Sequence, residues 1–376
     1  MRKLALAATA LLISAVAPAA TAVRGGPPLG PHFSSPNVEY LGHVPLENDT
    51  AGARVVGRYL FVTTSRALTI YDLKDPLGPV KAGWTPMPQS PYFPQEDVDT
   101  NGRILLVPSI DGVLNVVDVE DKTNPRVIGR LDGGASHTNT CVLDCTYSYA
   151  SGGQIVDLRD PANPKLAGDW KKTAGLPPSS THDVTEVAPG MIVTSGPIAL
   201  LDARKDPTKP VVRAFAWDDG PGGIVHSNLW PRGMRDRYLL VGGESAGPRC
   251  TDAKASFTTY DTRGWRDSKT FRKLDQYRPP HGTYTDGNPA ANTFCMHWFD
   301  DHPEFRDGGL VAVAWYEHGT RFVEVGRGGR IREAGHFLPV GASTSAAYWV
   351  TDEIVYTADY QRGIDILRFD LGAPSG

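Results

Sequence analysis

The chain of 376 residues predicts an all-β fold, a seven-bladed β-propeller with four-stranded blades. Three observations carry this. Short β-rich runs recur at a near-constant period, each is followed by a second strand and a Pro-containing turn, and the strand missing at the C-terminus is present near the N-terminus.

The recurring runs are YLFVTT from Tyr59, ILLVPS from Ile104, TYSYAS from Thr146, MIVTSG from Met191, YLLVGG from Tyr238, LVAVAW from Leu310 and IVYTAD from Ile354. Their starts are separated by 45, 42, 45, 47, 72 and 44 residues. A step in the mid-forties suits one four-stranded blade. The long step implies an insertion between blades five and six, placed at about residues 264–293. After each run comes a strand ending in aspartate, as in TIYDLKDPLGPVKAGW, NVVDVEDKTNPRVIGRL, QIVDLRDPANPKLAGDW and ALLDARKDPTKPVVRAFAW. Proline cannot donate to a ladder, so it falls between strands, and the aspartate supplies a turn acceptor. Repeats five to seven degrade the turn (TTYDTRGW, FVEVGRGGRI, DILRFD) but keep the alternation.

In repeat four the strands read HDVTEV, MIVTSG, IALLDA and VVRAFAW. A blade starts at the axis and moves outward, so the strand opened by His182 is innermost. The chain ends on a third strand, DILRFDLGAPSG. PNVEYLGHVPL, from Pro36 to Leu46, resembles the fourth strands PKLAGDW and REAGHFLP. It is expected to complete the last blade and close the ring, which leaves few unpaired edges.

These repeats resemble the LVIVD-repeat family of bacterial surface and secreted proteins, whose blades carry the pattern IVDL.DP.NP. The resemblance covers about Val38 to Phe369 and implies a propeller; the family's repeat is structural and says little of function.

Arg2 and Lys3, the apolar run LALAATALLISAVA and the small residues Ala20-Thr21-Ala22 predict a secretory signal peptide over residues 1–22. Residues 23–35 read as a flexible leader and 36–376 as one propeller domain of a secreted, monomeric protein without a membrane span. With 38 basic against 42 acidic residues the net charge is −4, and no basic block exists, which argues against nucleic-acid binding. An oxidising compartment favours disulfides Cys141–Cys145, across a hairpin, and Cys250–Cys295, at either end of the insertion. The rival for Cys295 is metal ligation as a thiolate, two residues before His297.

Four histidines share one phase of the repeat. His137 and His182 each lie nine residues before the second strand of their repeat, His226 twelve before and His297 thirteen before, with longer hairpins in the last two. A count of nine places Thr50 and Ser345 at the axis in two other blades, and one residue fewer places Glu96 there in the second. Imidazole nitrogen is a favoured ligand of Zn, Cu, Fe and Ni, and a propeller axis lets ligands from different blades converge without strain. A transition-metal centre of His137, His182, His226 and His297 is therefore expected, with copper preferred and iron or zinc as alternatives. The competing reading is a polar channel with structural histidines. By architecture alone, the arrangement is similar to the four-histidine iron site of carotenoid cleavage oxygenases, and to the copper-associated propellers of selenium-binding proteins and methanethiol oxidases. Glu244, Glu317 and Asp359 are the candidates to orient the histidines from behind. Glu96 and Glu317 are the candidate catalytic bases. His318 is ambiguous, while His32, His43, His281, His302 and His336 read as ordinary hydrogen-bonding residues.

The expected reaction is metal-dependent oxidation of a small molecule or peptide. The insertion would cover the mouth, and Trp230, Trp298, Trp315, Tyr316 and Tyr284 would line an apolar pocket. The alternatives are a non-catalytic binding scaffold, or a zinc-dependent hydrolase or lyase using Glu96 or Glu317. No GxSxG, HExxH or P-loop pattern is present.

Overall fold

The computed structural model describes residues 30–44, 50–64, 66–88, 98–109, 111–176, 181–216, 224–244, 256–279 and 296–372. It is a β-propeller. The first repeat folds as the antiparallel sheet Thr50–Val56, Tyr59–Thr64, Ala67–Asp72 and Val80–Pro86. The second and third follow as Asp99–Thr100, Ile104–Pro108, Val113–Asp118, Arg126–Asp132, and Asn139–Val142, Tyr147–Ala150, Gln154–Asp157, Lys165–Asp169. The fourth is Asp183–Ala188, Met191–Ser195, Ala199–Asp202 and Val211–Ala216. The fifth is Ile224–Leu229, Tyr238–Glu244, Phe257–Asp261 and Thr270–Tyr277. The sixth is Phe299–Asp301, Gly309–Ala314, Thr320–Val325 and Ile331–Pro339. In the last, Thr344–Trp349, Ile354–Asp359 and Gly363–Phe369 are joined by Val38–Val44, which pairs antiparallel with Gly363–Phe369.

The strands are apolar on both faces because each sheet is packed on both sides. Alternate side chains of one strand enter different cores. Leu105, Val107 and Val117 of the second sheet join Phe61, Leu68 and Ile70 of the first. Their neighbours Leu106, Leu114 and Val116 join Val156 of the third. The aspartate ending the third strand of the first five sheets does the expected work: Asp72, Asp118, Asp157, Asp202 and Asp261 each accept the N–H two residues on. That bond nucleates the turn before the outer strand.

Every outermost strand carries a one-residue bulge, at Ala82, Ile128, Ala167, Arg213, Leu274, Ala334 and, in Val38–Val44, Leu41. A bulge bends its strand and increases its twist. In the first two repeats the next residue is a glycine pressed against the following sheet. A Cβ on Gly83 would overlap the Lys122 carbonyl oxygen, and one on Gly129 the Pro161 carbonyl oxygen. These carbonyls belong to the DKTNP and DPANP turns, so a glycine of one repeat seats the turn of the next. Gly129→Ala is expected to cost about 1–3 kcal/mol by overpacking. Gly328→Ala, with open space around it, is expected to stay within about 0.5 kcal/mol. Denaturant midpoints at constant m-value check both.

Three details correct the sequence reading. Part of the expected leader is ordered: His32–Ser34 pairs with Phe337–Pro339 as a fifth strand of the sixth sheet. The segment assigned to an insertion at 264–293 begins instead with a short helix, Trp265–Ser268, and the outer strand Thr270–Tyr277. The extra length of this repeat therefore falls elsewhere in it, and residues 245–255 and 280–295 lie outside the described residues. Finally, the fourth and fifth sheets are not separate. Their outer strands meet in parallel at Phe215–Thr270 and Ala216–Phe271, giving one eight-stranded sheet. Cys141 and Cys145 form a disulfide across a turn whose Leu143, Asp144 and Cys145 all have positive φ. Cys250 and Cys295 lie outside the described residues.

Candidate metal centre

The four in-phase histidines come from the starts of four consecutive innermost strands. His182 directly precedes Asp183–Ala188, and its N–H donates to Ser195 at 2.9 Å. His137 and His297 each stand two residues before their strands, Asn139–Val142 and Phe299–Asp301. His226 lies inside Ile224–Leu229, at a bulge where the register steps from Val225 to Ser227. Bulges re-aim side chains, and this one frees His226 from the regular pleat.

The imidazoles form an unbroken row. Ring centroids are 4.6 Å apart for His137 and His182, 3.9 Å for His182 and His226, and 4.2 Å for His226 and His297. His226 and His297 are 0% and 1% exposed, whereas His137 and His182 are half-buried. The row thus runs from a partly open end into the interior. Hydroxyl side chains stitch it together: Thr138 donates to the His182 carbonyl at 2.7 Å and Ser227 to the His297 carbonyl at 3.0 Å. Nδ1 of His297 lies 2.6 Å from the carbonyl oxygen of Ser345. A carbonyl can only accept, so Nδ1 carries the proton and Nε2 carries the lone pair. A backbone carbonyl behind an imidazole fixes a metal-ready tautomer in just this way.

Glu244 ends the strand Tyr238–Glu244 and reaches the row. Its Oε2 is 3.9 Å from Nε2 of His226, and its Oε1 accepts the Tyr316 hydroxyl at 3.2 Å. Among the described residues, His182, His226 and Glu244 form a group whose ligand atoms all lie within 4.8 Å of one another. His137 and His297 flank this group.

The other candidates separate. Glu317 is buried on the tight turn after Gly309–Ala314, beside the fully buried His318, and neither belongs to the close ligand group. Asp359 is engaged elsewhere. It accepts from the Ser343, Gln361 and Arg362 N–H groups and the Thr344 hydroxyl, so it ties its own turn rather than a histidine. Burial pushes its carboxyl up to about 6. Thr50 and Ser345 open the inner strands of their sheets as expected. Glu96, Tyr284 and His281 lie outside the described residues. His302 and His336 are hydrogen-bonded to the Asp352 carbonyl and to Glu333, and His43 to the Tyr40 hydroxyl.

The expected aromatic lining divides in two. Trp298 stands edge-on to His226 at 5.1 Å, and Tyr316 is 4.8 Å from His297. Trp230 instead packs with Trp265 and Phe271 in the core between the fourth and fifth sheets, and Trp315 with Tyr277. A hollow of about 850 Å³ lies beside His32, Tyr40 and Arg368, away from the histidine row.

Tyr360, at the row, and Asp183, the residue after His182 in the chain, escaped the sequence reading. Tyr360 stacks on Tyr316 at 5.9 Å and lies 6.1 Å from His297. Asp183, next to His182, is fully buried, which pushes its carboxyl up to about 7 against the pull of the Thr185 hydroxyl at 2.8 Å. The only sequence signal for Asp183 is its place in HDVTEV; Tyr360 gives none, because its turn lies far along the chain from any histidine.

No protein-family model matches the chain, and no curated protein matches it. Solved structures do. The β-propeller domain of Cps50 (Swd1) from Myceliophteria thermophila is 13% identical, with a TM-score of 0.60, over 88% of this chain and 99% of that one. The WD40 repeats of RRP9 are 10% identical, with a TM-score of 0.57, over 89% and 98%. U3-55K is 9% identical, with a TM-score of 0.56, over 88% and 98%. At these identities the likeness shows the β-propeller fold alone.

Proposed function

We propose that this is a secreted, monomeric seven-bladed propeller of the LVIVD-repeat type whose axial histidine row holds a redox-active transition metal. Copper is the first choice and iron the second. When bound, the metal would supply oxidation chemistry toward a small molecule or peptide, which docks at the open end of the row formed by His137 and His182. In this reading residues 1–22 are a signal peptide, and Val38–Val44 is the outer strand of the last blade. Its bulge at Leu41, matching the bulges of the other outer strands, supports that closure. Among the described residues no helix is long and apolar enough to cross a membrane.

One observation carries the functional reading: four imidazoles from four consecutive repeats stand within 3.9–4.6 Å of their neighbours at the buried start of the innermost strands. Structural histidines satisfied separately by backbone have no reason to converge. The chain's part is to hold His297 in one tautomer, to leave the His137 and His182 end partly open, and to keep the His226 and His297 end buried. The bound metal would supply one-electron chemistry with dioxygen. The test is oxygen uptake by copper- or iron-loaded protein with ascorbate as a generic reductant. Uptake above that of the free ion, lost when His182 and His226 are both replaced, supports the reading. Uptake no greater than that of the free ion contradicts it.

A further inference from the structure

We infer that the metal is ligated by His182, His226 and the carboxylate of Glu244, and that Tyr316 positions that carboxylate. The inference rests on the metal-centre reading above and names its donor set, replacing four imidazoles by two imidazoles and one carboxylate.

The geometry decides between the sets. Donors on one ion at about 2.0–2.2 Å stand no more than about 4 Å apart. The candidate atoms of His182, His226 and Glu244 already lie within 4.8 Å of one another, so small side-chain rotations close the site. Neither His137 nor His297 joins that group. His137 meets His182 edge-on, at an interplanar angle of 81°, on the open side of the row. His297 packs against Tyr316 at a ring separation of 4.8 Å, and its ligand-ready Nε2 is not among the close donor atoms. Both are placed to support the ligands from either side rather than to complete a square of four.

Glu244 is 5% exposed, and a carboxylate taken so far out of water needs a cation or strong donors beside it. The Tyr316 hydroxyl engages Oε1 and leaves Oε2 turned to Nε2 of His226. Tyr316 itself is held at φ +36°, a conformation that non-glycine residues rarely adopt. The tight turn, in which His318 N–H donates to the Trp315 carbonyl at 2.7 Å, fixes it there. Two histidines and a carboxylate leave coordination positions open for dioxygen or substrate, which a filled four-imidazole set restricts.

The experiment loads chelator-treated, full-length protein with Cu(II) and counts bound imidazoles by pulsed electron paramagnetic resonance. Two imidazoles are expected. Glu244→Gln should change the spectrum and weaken Cu(II) more than tenfold, and His137→Ala should still give two bound imidazoles. Tyr316→Phe should weaken binding by roughly tenfold, as loss of an outer partner does, while keeping the two-imidazole signature. Three or four imidazoles, with a spectrum indifferent to Glu244→Gln, would overturn the inference and leave the metal-centre reading standing. No Cu(II), iron or zinc binding by wild type would overturn both.

Discussion

Replacing His182 and His226 together by alanine is expected to abolish specific metal binding while the propeller remains folded. The two imidazoles sit at the centre of the row, 3.9 Å apart, and supply two of the three members of the close ligand group. Loss of a partner behind a ligand costs about 10–100-fold in affinity, so loss of two ligands should exceed the upper figure. His226 is fully buried, so truncation leaves a cavity beside His297 and Trp298. A His182→Gln/His226→Gln variant keeps the volume and separates lost ligation from lost packing. Competition titration against a chromophoric chelator, with far-ultraviolet circular dichroism as the folding control, reads both. Wild-type affinity in the folded double variant would place the metal elsewhere.

The largest stability effect is expected at Glu333. Arg321 has no exposed side chain, and its Nη1 lies 3.1 and 3.3 Å from the Glu333 carboxylate oxygens. His336 meets the same carboxylate at 3.0 Å, and the Tyr277 hydroxyl donates to it from the neighbouring sheet. Glu333→Ala therefore leaves a guanidinium buried without its counter-charge, at a cost of about 3–5 kcal/mol. Arg321→Met/Glu333→Leu should recover much of this, since buried ion pairs gain little over well-packed apolar groups. Partial burial alone would raise the Glu333 carboxyl, but His336, Arg321 and Tyr277 outweigh it and hold it at about 2. The group is thus depressed below its unfolded value of about 4.3. Its contribution is full above that value and is lost as pH falls toward about 2. The gap in unfolding midpoint between wild type and Glu333→Ala should be present at pH 5 and shrink below about 4. A gap unchanged at pH 3 would contradict the assignment.

The sequence carried the propeller because each repeat writes its own turn. The aspartate that ends a third strand and the proline that follows are local chemistry, readable without knowing what lies across the chain. The same holds for the phase of the histidines. The outer strand Thr270–Tyr277 was missed for a matching reason. Where Val80–Pro86 and Arg126–Asp132 have Gly83 and Gly129 after the bulge, this strand has Asp275, and no proline turn precedes it. The short pairing of His32–Ser34 with Phe337–Pro339 spans nearly the whole chain and leaves no local trace. At the metal centre, the phase of Glu244 was legible but its contact with His226 was not, because it depends on the bulge at His226 and on the strained turn that presents Tyr316. Asp359 had the right phase and a different task. Its turn uses the carboxylate for backbone N–H groups, and periodicity cannot tell such a cap from a partner of histidine.

The central claim is that the histidine row is a metal centre, and the metal content of the purified protein tests it most directly. Plasma mass spectrometry is expected to find about one equivalent of copper or iron per chain, absent from the His182→Ala/His226→Ala variant. No bound metal in wild type, before or after reconstitution with Cu(II), Fe(II) and Zn(II), would contradict the account and leave a propeller with a hydrogen-bonded histidine channel.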